Sequence, residues 1–382
     1  MAERASLQAV IHRCLSEYAQ THRLSPRQWQ VCAHIGDCRT AALGGFDWVC
    51  DTCGHHQHLY HACRDRHCPR CQRSASERWC VRQREGVLPV TYYHVVFTLP
   101  HELNAWVEVQ PRLVYALLFE TVWATLSAFA ADPKRLDGRL GMTAVLHTWG
   151  QTLTRHVHLH CLIPGGAIGA DGSWHAARST LLFPVRALAR HVRGGLVSRV
   201  RAAAQAGKLD GIAPGEVDAV LDRLMHKDWV VDARPCFGGA ETVVEYLGRY
   251  SHRTAVTDGR LLGFDGERVR LAYKDYRDEG RHKVMTLDAE ELLRRFLLHV
   301  LPSGFMRVRH FGFLANRCRR RCLAQIRTAL AAAKPDEAGD DEDGAPAAMT
   351  LPCPKCRRGR MHAVSTLPAQ PPMRGRIRID GG

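Results

Sequence analysis

Residues 156–166 read HVHLHCLIPGG, and no other run in the chain narrows the possible folds so far. Histidine and apolar residues alternate with period two, the repeat of a β-strand whose two faces meet different surroundings. Leu159 then faces a core, while His158 and His160 share the opposite face. Two imidazoles on one strand face can serve one cation, but two rarely hold a divalent ion alone. His156 has the parity to be the third ligand, and Gln151, Glu245 and His252 are weaker candidates. Packing by itself would favour Val or Ile at these positions. Nitrogen ligands completed by substrate oxygens suit Mn²⁺ or Mg²⁺, with Zn²⁺ chemically possible.

A second run, VVEYLGRYSHR (243–253), has helical character. Tyr246 and Tyr250 are four residues apart and so lie one above the other on one helix face. Alone, such a pair reads as core aromatics. Beside a metal-binding strand it reads as a pair of nucleophiles. A phenol attacks phosphorus poorly unless it loses its proton and the phosphate is polarised, and a metal ion meets the second need. The product would be a phosphotyrosine linkage and a free 3′-hydroxyl. That linkage retains the phosphodiester bond energy, so another strand end can reverse the step without ATP. Arg249 and Arg253 flank Tyr250, and guanidinium groups match phosphate bidentately.

Fifteen cysteines in a chain without an apolar leader point to zinc rather than to disulfides. Cys50-x-x-Cys53 and Cys68-x-x-Cys71 are separated by fourteen residues, close to the spacing of one zinc ribbon. Cys63, His61 and His67 fall in the same segment and are candidates for additional ligands. Cys353-Pro354-Lys355-Cys356 is half a ribbon without an adjacent partner. Cys14, Cys32, Cys80, Cys161 and Cys236 read as small buried residues.

Around these motifs the pattern predicts an α+β fold with a central antiparallel sheet. TYYHVVFTLP (91–100) is a strand, 102–131 an apolar helix, and 142–150 with 156–166 an antiparallel pair. A split βαβ arrangement is the natural candidate. Helical material follows at 186–227, strand-like pieces lie between RLLGFD and HKVMTL, and a helix spans 288–302. From about 334 to 350 the chain turns acidic and Ala/Gly/Pro-rich, the composition of a disordered linker. A formal charge of +15 favours a polyanionic partner, nucleic acid first. No run approaches the roughly 18 consecutive apolar residues of a membrane span. Cytoplasmic residence with no membrane partner is therefore expected.

FTLP (97–100), HTWGQTLTRHVHLHCLIPGG (147–166), YLGRYSHRTAV (246–256), YKDY (273–276) and RVRHFGFLANR (307–317) together resemble the two-tyrosine rolling-circle insertion-sequence transposases. These belong to the HUH (His-hydrophobic-His) superfamily. CDTC…HACRDRHCPRC is similar to that family's zinc-binding domain. The resemblance implies a zinc-binding domain with a helical lead-in over 1–85 and an HUH nuclease domain over 88–325. An acidic linker with a CxxC tail would follow over 326–382. It implies cleavage and rejoining of single-stranded DNA at transposon ends and in target DNA. Mg²⁺ or Mn²⁺ would sit on His158 and His160, and Tyr246 or Tyr250 would attack. The Cys-rich N-terminus and the lack of a helicase P-loop favour this reading over a replication initiator or relaxase of the same chemistry. A noncatalytic zinc-dependent DNA-binding regulator would bind DNA but form no covalent adduct.

Overall fold

A computed structural model describes residues 5–84, 86–177, 182–236, 248, 254–330 and 351–370. Helices α1 (Leu7–Thr21) and α2 (Pro26–Asp37) open the chain. Ser25 starts α2 with a complete capping box: its hydroxyl accepts from the Gln28 N–H while the Gln28 side chain accepts from the Ser25 N–H. Strands β1 (Gly45–Cys50) and β2 (His56–Tyr60) form a hairpin, and α3 (Pro69–Arg84) follows.

The central sheet then begins with β3 (Tyr92–Thr98). After the short α4 (Asn104–Val109) and the long α5 (Pro111–Ala131), the chain returns through β4 (Gly141–Trp149) and β5 (Arg155–Pro164). A small hairpin, β6 (Gly166–Ile168) and β7 (Trp174–Ala176), leads to α6 (Val185–Gln205), α7 (Pro214–Met225) and β8 (Val231–Cys236). Further on, β9 (Leu261–Phe264), β10 (Arg268–Asp275) and β11 (Arg281–Asp288) make a three-stranded sheet ahead of α8 (Ala289–Leu297). The last elements are β12 (Val308–Gly312), α9 (Arg319–Ala329), β13 (Leu351–Pro352) and β14 (Arg360–Leu367).

The five-stranded sheet has the order β12-β4-β5-β3-β8, and every pair is antiparallel. Strands β3 and β4 are therefore parallel to each other with β5 inserted between them, joined by the α4–α5 crossover. That is the split βαβ arrangement the sequence predicts. Val95 and Phe97 of β3, Ala144 and Leu146 of β4, and Val157 and Leu159 of β5 point to one face, where they pack with Phe119, Val122 and Leu126 of α5 and Leu196 of α6. Among the described residues α5 is the one helix apolar and long enough to cross a membrane, and it is a core helix here.

A second core joins α1, α2, the β9–β11 sheet and α8 through Leu7, Val31, Ile35, Leu271 and Phe296. Leu153, at the tip of the β4–β5 hairpin, adopts a left-handed φ of 61° and is buried in it. The hairpin that carries the histidines is thus anchored at its tip in the N-terminal core. The acidic stretch expected as a linker lies outside the described residues.

Candidate metal centre and cysteine clusters

The face of the central sheet opposite α5 carries histidines. His158 and His160 project from β5, and His147 lies directly across from His158 on β4. The ligand nitrogens of these three residues lie within 4.8 Å of one another. Ring centroids are 4.5 Å apart for His147 and His160, 4.7 Å for His158 and His160, and 5.4 Å for His147 and His158.

This geometry corrects one expectation. His156 was expected as third member, yet it stands exposed at the start of the strand and outside the group. The cause is a break in the ladder. Trp149 pairs with Arg155 and His147 with His158, so three residues of β5 span two of β4. A bulge of this kind resets the alternation, and it falls at His156 and Val157. The bulge lies on the hairpin-tip side of His147. From Thr143–Leu162 to His147–His158 the register is unbroken, so His147 reaches the histidine face by the ordinary alternation of β4.

The protonation of these imidazoles is set by neighbours. His158 Nδ1 lies 2.8 Å from the His156 carbonyl. A carbonyl can only accept, so Nδ1 carries the proton and the lone pair is on Nε2. His160 Nδ1 lies 2.8 Å from His94 Nε2 on β3, with the two rings stacked at 5.1 Å. Burial pushes the His94 imidazole down to about 4, so it is neutral near pH 7 and can accept from His160 Nδ1–H. Trp149 stacks on His147 at 4.6 Å, closing one side of the group.

Tyr246, Tyr250, Arg249 and Arg253 lie outside the described residues. Between them Gly248 is described: its carbonyl accepts from Ser76 Oγ of α3 at 3.0 Å, and a Cβ there would collide with Cys80 Sγ. A glycine is needed because the backbone runs directly against α3.

Two arginines of β12 and the turn before it are tied into the fold. Arg307 is buried and donates to Gln72 Oε1 at 3.1 Å, and its guanidinium is pushed down to about 10 by burial. Arg309 lies over the Phe119 ring at 4.1 Å.

The cysteines form two groups, and neither is the single ribbon predicted from spacing. Cys68 and Cys71 join Cys63 and Cys38, whereas Cys50 and Cys53 join Cys353 and Cys356. In the first group Sγ atoms are 3.6 Å apart for Cys38 and Cys71, 3.6 Å for Cys63 and Cys71, and 3.7 Å for Cys38 and Cys68. A disulfide would be about 2.0 Å. Four sulfurs at about 2.3 Å from one zinc ion are about 3.8 Å apart along each tetrahedral edge, which these distances approach. Cys38 sits just past the end of α2 with no CxxC partner, and this is why its role is hidden in the sequence.

Neither His61 nor His67 belongs to a cysteine group. His67 is buried, with Nδ1 at 2.8 Å from Asp65 Oδ1 and Nε2 accepting from the Leu301 N–H at 3.1 Å. Burial raises the Asp65 carboxyl, but hydrogen bonds from the His67 side chain and backbone and from His34 outweigh it and hold the group well below the usual range. His61 meets Phe46 edge-on at 5.2 Å.

Two stretches of the chain match known protein families. Residues 10–99 match a family described as "Transposase zinc-binding domain", and residues 141–322 match one described as "Putative transposase". The class is therefore a transposase with a zinc-binding domain at its N-terminal side. The chain is 44% identical over 362 residues to "Putative transposase y4qJ" of Sinorhizobium fredii (strain NBRC 101917 / NGR234), covering 91% of each. It is 28% identical over 316 residues to "Transposase for insertion sequence element IS801" of Pseudomonas savastanoi pv. phaseolicola, covering 78% of this chain and 73% of that one. This chain belongs to the IS91/IS801 family of rolling-circle insertion-sequence transposases. No solved structure is a significant match to it.

Proposed function

We propose that this transposase cleaves and rejoins single-stranded DNA at the ends of its insertion sequence through a 5′-phosphotyrosine intermediate. The observation that carries this reading is the group of three imidazoles, His147, His158 and His160, gathered on one face of a split βαβ sheet. They would hold a divalent ion, and an all-nitrogen donor set favours Mn²⁺ over Mg²⁺ in affinity. When bound, such an ion supplies Lewis-acid polarisation of the scissile phosphate.

The chain's own groups do the rest. The His156 carbonyl and His94 fix the tautomers of His158 and His160, so both rings present Nε2 without rearrangement. The phenol oxygen of Tyr246 or Tyr250 forms a bond to phosphorus as the bond from phosphorus to O3′ breaks, and the phenol proton ends on the released 3′ oxygen. Attack by a different 3′-hydroxyl reverses the exchange and joins a new strand. Arg249 and Arg253, on either side of Tyr250 in sequence, would neutralise the phosphate backbone of the strand. Cys38, Cys63, Cys68 and Cys71 would hold a structural zinc within the N-terminal core. Acting on DNA, the protein would work at the bacterial nucleoid.

The test is incubation of purified protein with labelled single-stranded DNA carrying the element's end, with Mn²⁺, with Mg²⁺ and with chelator, followed by a denaturing gel. Wild type should form a metal-dependent covalent adduct that the Tyr246→Phe/Tyr250→Phe double variant lacks. DNA binding without an adduct under any metal would overturn the proposal and leave a noncatalytic DNA-binding regulator.

A further inference from the structure

Cys50, Cys53, Cys353 and Cys356 belong to opposite ends of the described chain, and the pair at 353 and 356 lies beyond both matched families. The structure nevertheless brings their sulfurs within 4.8 Å of one another. Cys50 Sγ is 3.7 Å from Cys356 Sγ, and Cys53 Sγ is 3.8 Å from Cys353 Sγ. Those are the edges of a zinc–sulfur tetrahedron, about 3.8 Å, and far from a disulfide.

The backbone around the sulfurs is built for thiolates. The Thr52 N–H donates to Cys50 Sγ at 3.4 Å and the Gly359 N–H to Cys356 Sγ at 3.4 Å. Cys53 receives the N–H of His55, and Cys353 that of Lys355. The residue after the second cysteine of each pair has a left-handed φ, 64° at Gly54 and 56° at Arg357, so the two turns repeat one conformation. A Cβ at Gly359 would crowd Cys50 Sγ and Thr52 Oγ1, so glycine is required where the turns meet. The turns are also tied by Asp51: its N–H donates to the Arg360 carbonyl at 3.1 Å, and its Oδ1 accepts from the Arg360 N–H at 2.9 Å.

Beyond the sulfurs, β14 pairs antiparallel with β1 from Cys50–Met361 to Gly45–Leu367, giving a four-stranded sheet of order β13-β14-β1-β2. Trp48, Cys50, Cys353 and Met361 form a small core of their own. A core of four residues is too small to hold a segment of some twenty residues unaided, and folds of this size need a metal or a disulfide.

We infer that Cys50, Cys53, Cys353 and Cys356 bind a second zinc ion, which clasps the 351–367 segment onto the β1–β2 hairpin. The inference does not depend on the DNA chemistry, because it is read by zinc content and by fragment retention.

The experiment uses the full chain. Zinc per chain is measured for wild type and for Cys353→Ser/Cys356→Ser, which leaves the first cysteine group and the histidine group intact. The variant should lose one equivalent relative to wild type; an unchanged zinc content overturns the inference. In parallel, a recognition sequence for a specific protease is inserted between residues 330 and 351 of wild type and variant, the chain is cut there, and the products are run on a sizing column. The fragment bearing residues 351–367 should co-elute with the body in wild type and should separate in the variant or after chelation. Separation from zinc-loaded wild type would overturn the clasp. So would retention in the variant, since strand pairing alone would then suffice.

Discussion

Strands β3, β4 and β5 give alternate residues to two faces that differ in nearly every respect. One face is built of Val95, Phe97, Ala144, Leu146, Val157 and Leu159, fully covered by α5 and α6. The other carries His94, Thr143, His147, His158 and His160. On the first, hydrophobic burial is the cause of order, and any apolar residue of fitting volume can serve. On the second, order comes from directed hydrogen bonds of the imidazoles. Because neighbours in sequence serve opposite faces, stability and the proposed chemistry can be probed separately, one residue at a time.

The sharpest way to break this division is to alter adjacent residues. His158→Ala should cut metal-dependent cleavage by on the order of 10³-fold, the several kcal/mol expected of a lost Lewis-acid site. Its thermal midpoint in chelator should stay near wild type. Leu159→Ala, one residue on, should destabilise the fold by about 2–5 kcal/mol in urea unfolding. The folded fraction of that variant should retain its specific cleavage rate. If both variants lost stability equally, the faces would not be separable.

A smaller effect is expected at His94. His94→Phe removes the acceptor for His160 Nδ1, and metal affinity should fall about 10–100-fold by calorimetric titration, with β3 still paired. Smaller again is a pH effect shared by the histidine face and His299. Burial holds His94, His310 and His299 down to about 4, against an unfolded value of about 6.5. The unfolded chain therefore binds more protons between these values, so stability is full above pH 6.5 and is lost as pH falls towards 4. Unfolding midpoints measured from pH 7 to pH 4 should trace that loss. His310→Gln should flatten the slope while keeping a partner for Thr143.

Much of the sheet was legible because its cause is local. The period-two run from His156 to Pro164 and the long apolar stretch of α5 each follow from the solvation of a regular element. What escaped was non-local. His147 lies eleven residues before His158 on a different strand, and only the β4–β5 register sets the two side by side. Cys38 has no paired cysteine beside it, so only the packing of α2 against the Cys63–Cys71 turn exposes its part. The half-ribbon at Cys353 was visible as a motif, but its partner lies some three hundred residues away, where spacing rules carry no information. The tyrosine segment was readable as a motif, and Gly248 shows why one position in it must lack a side chain.

The pairing of β14 with β1 also sets an order of events during synthesis. Strand β1 leaves the ribosome early, and one of its edges is filled at once by β2. The other must wait until residues 360–367 have been translated, after the whole histidine-bearing sheet. For that interval the nascent chain presents an open strand edge, the kind of surface on which misassembly starts. A product cut short after α9 would keep that edge open for good, so completion of the N-terminal sheet reports that translation has run past the last strand.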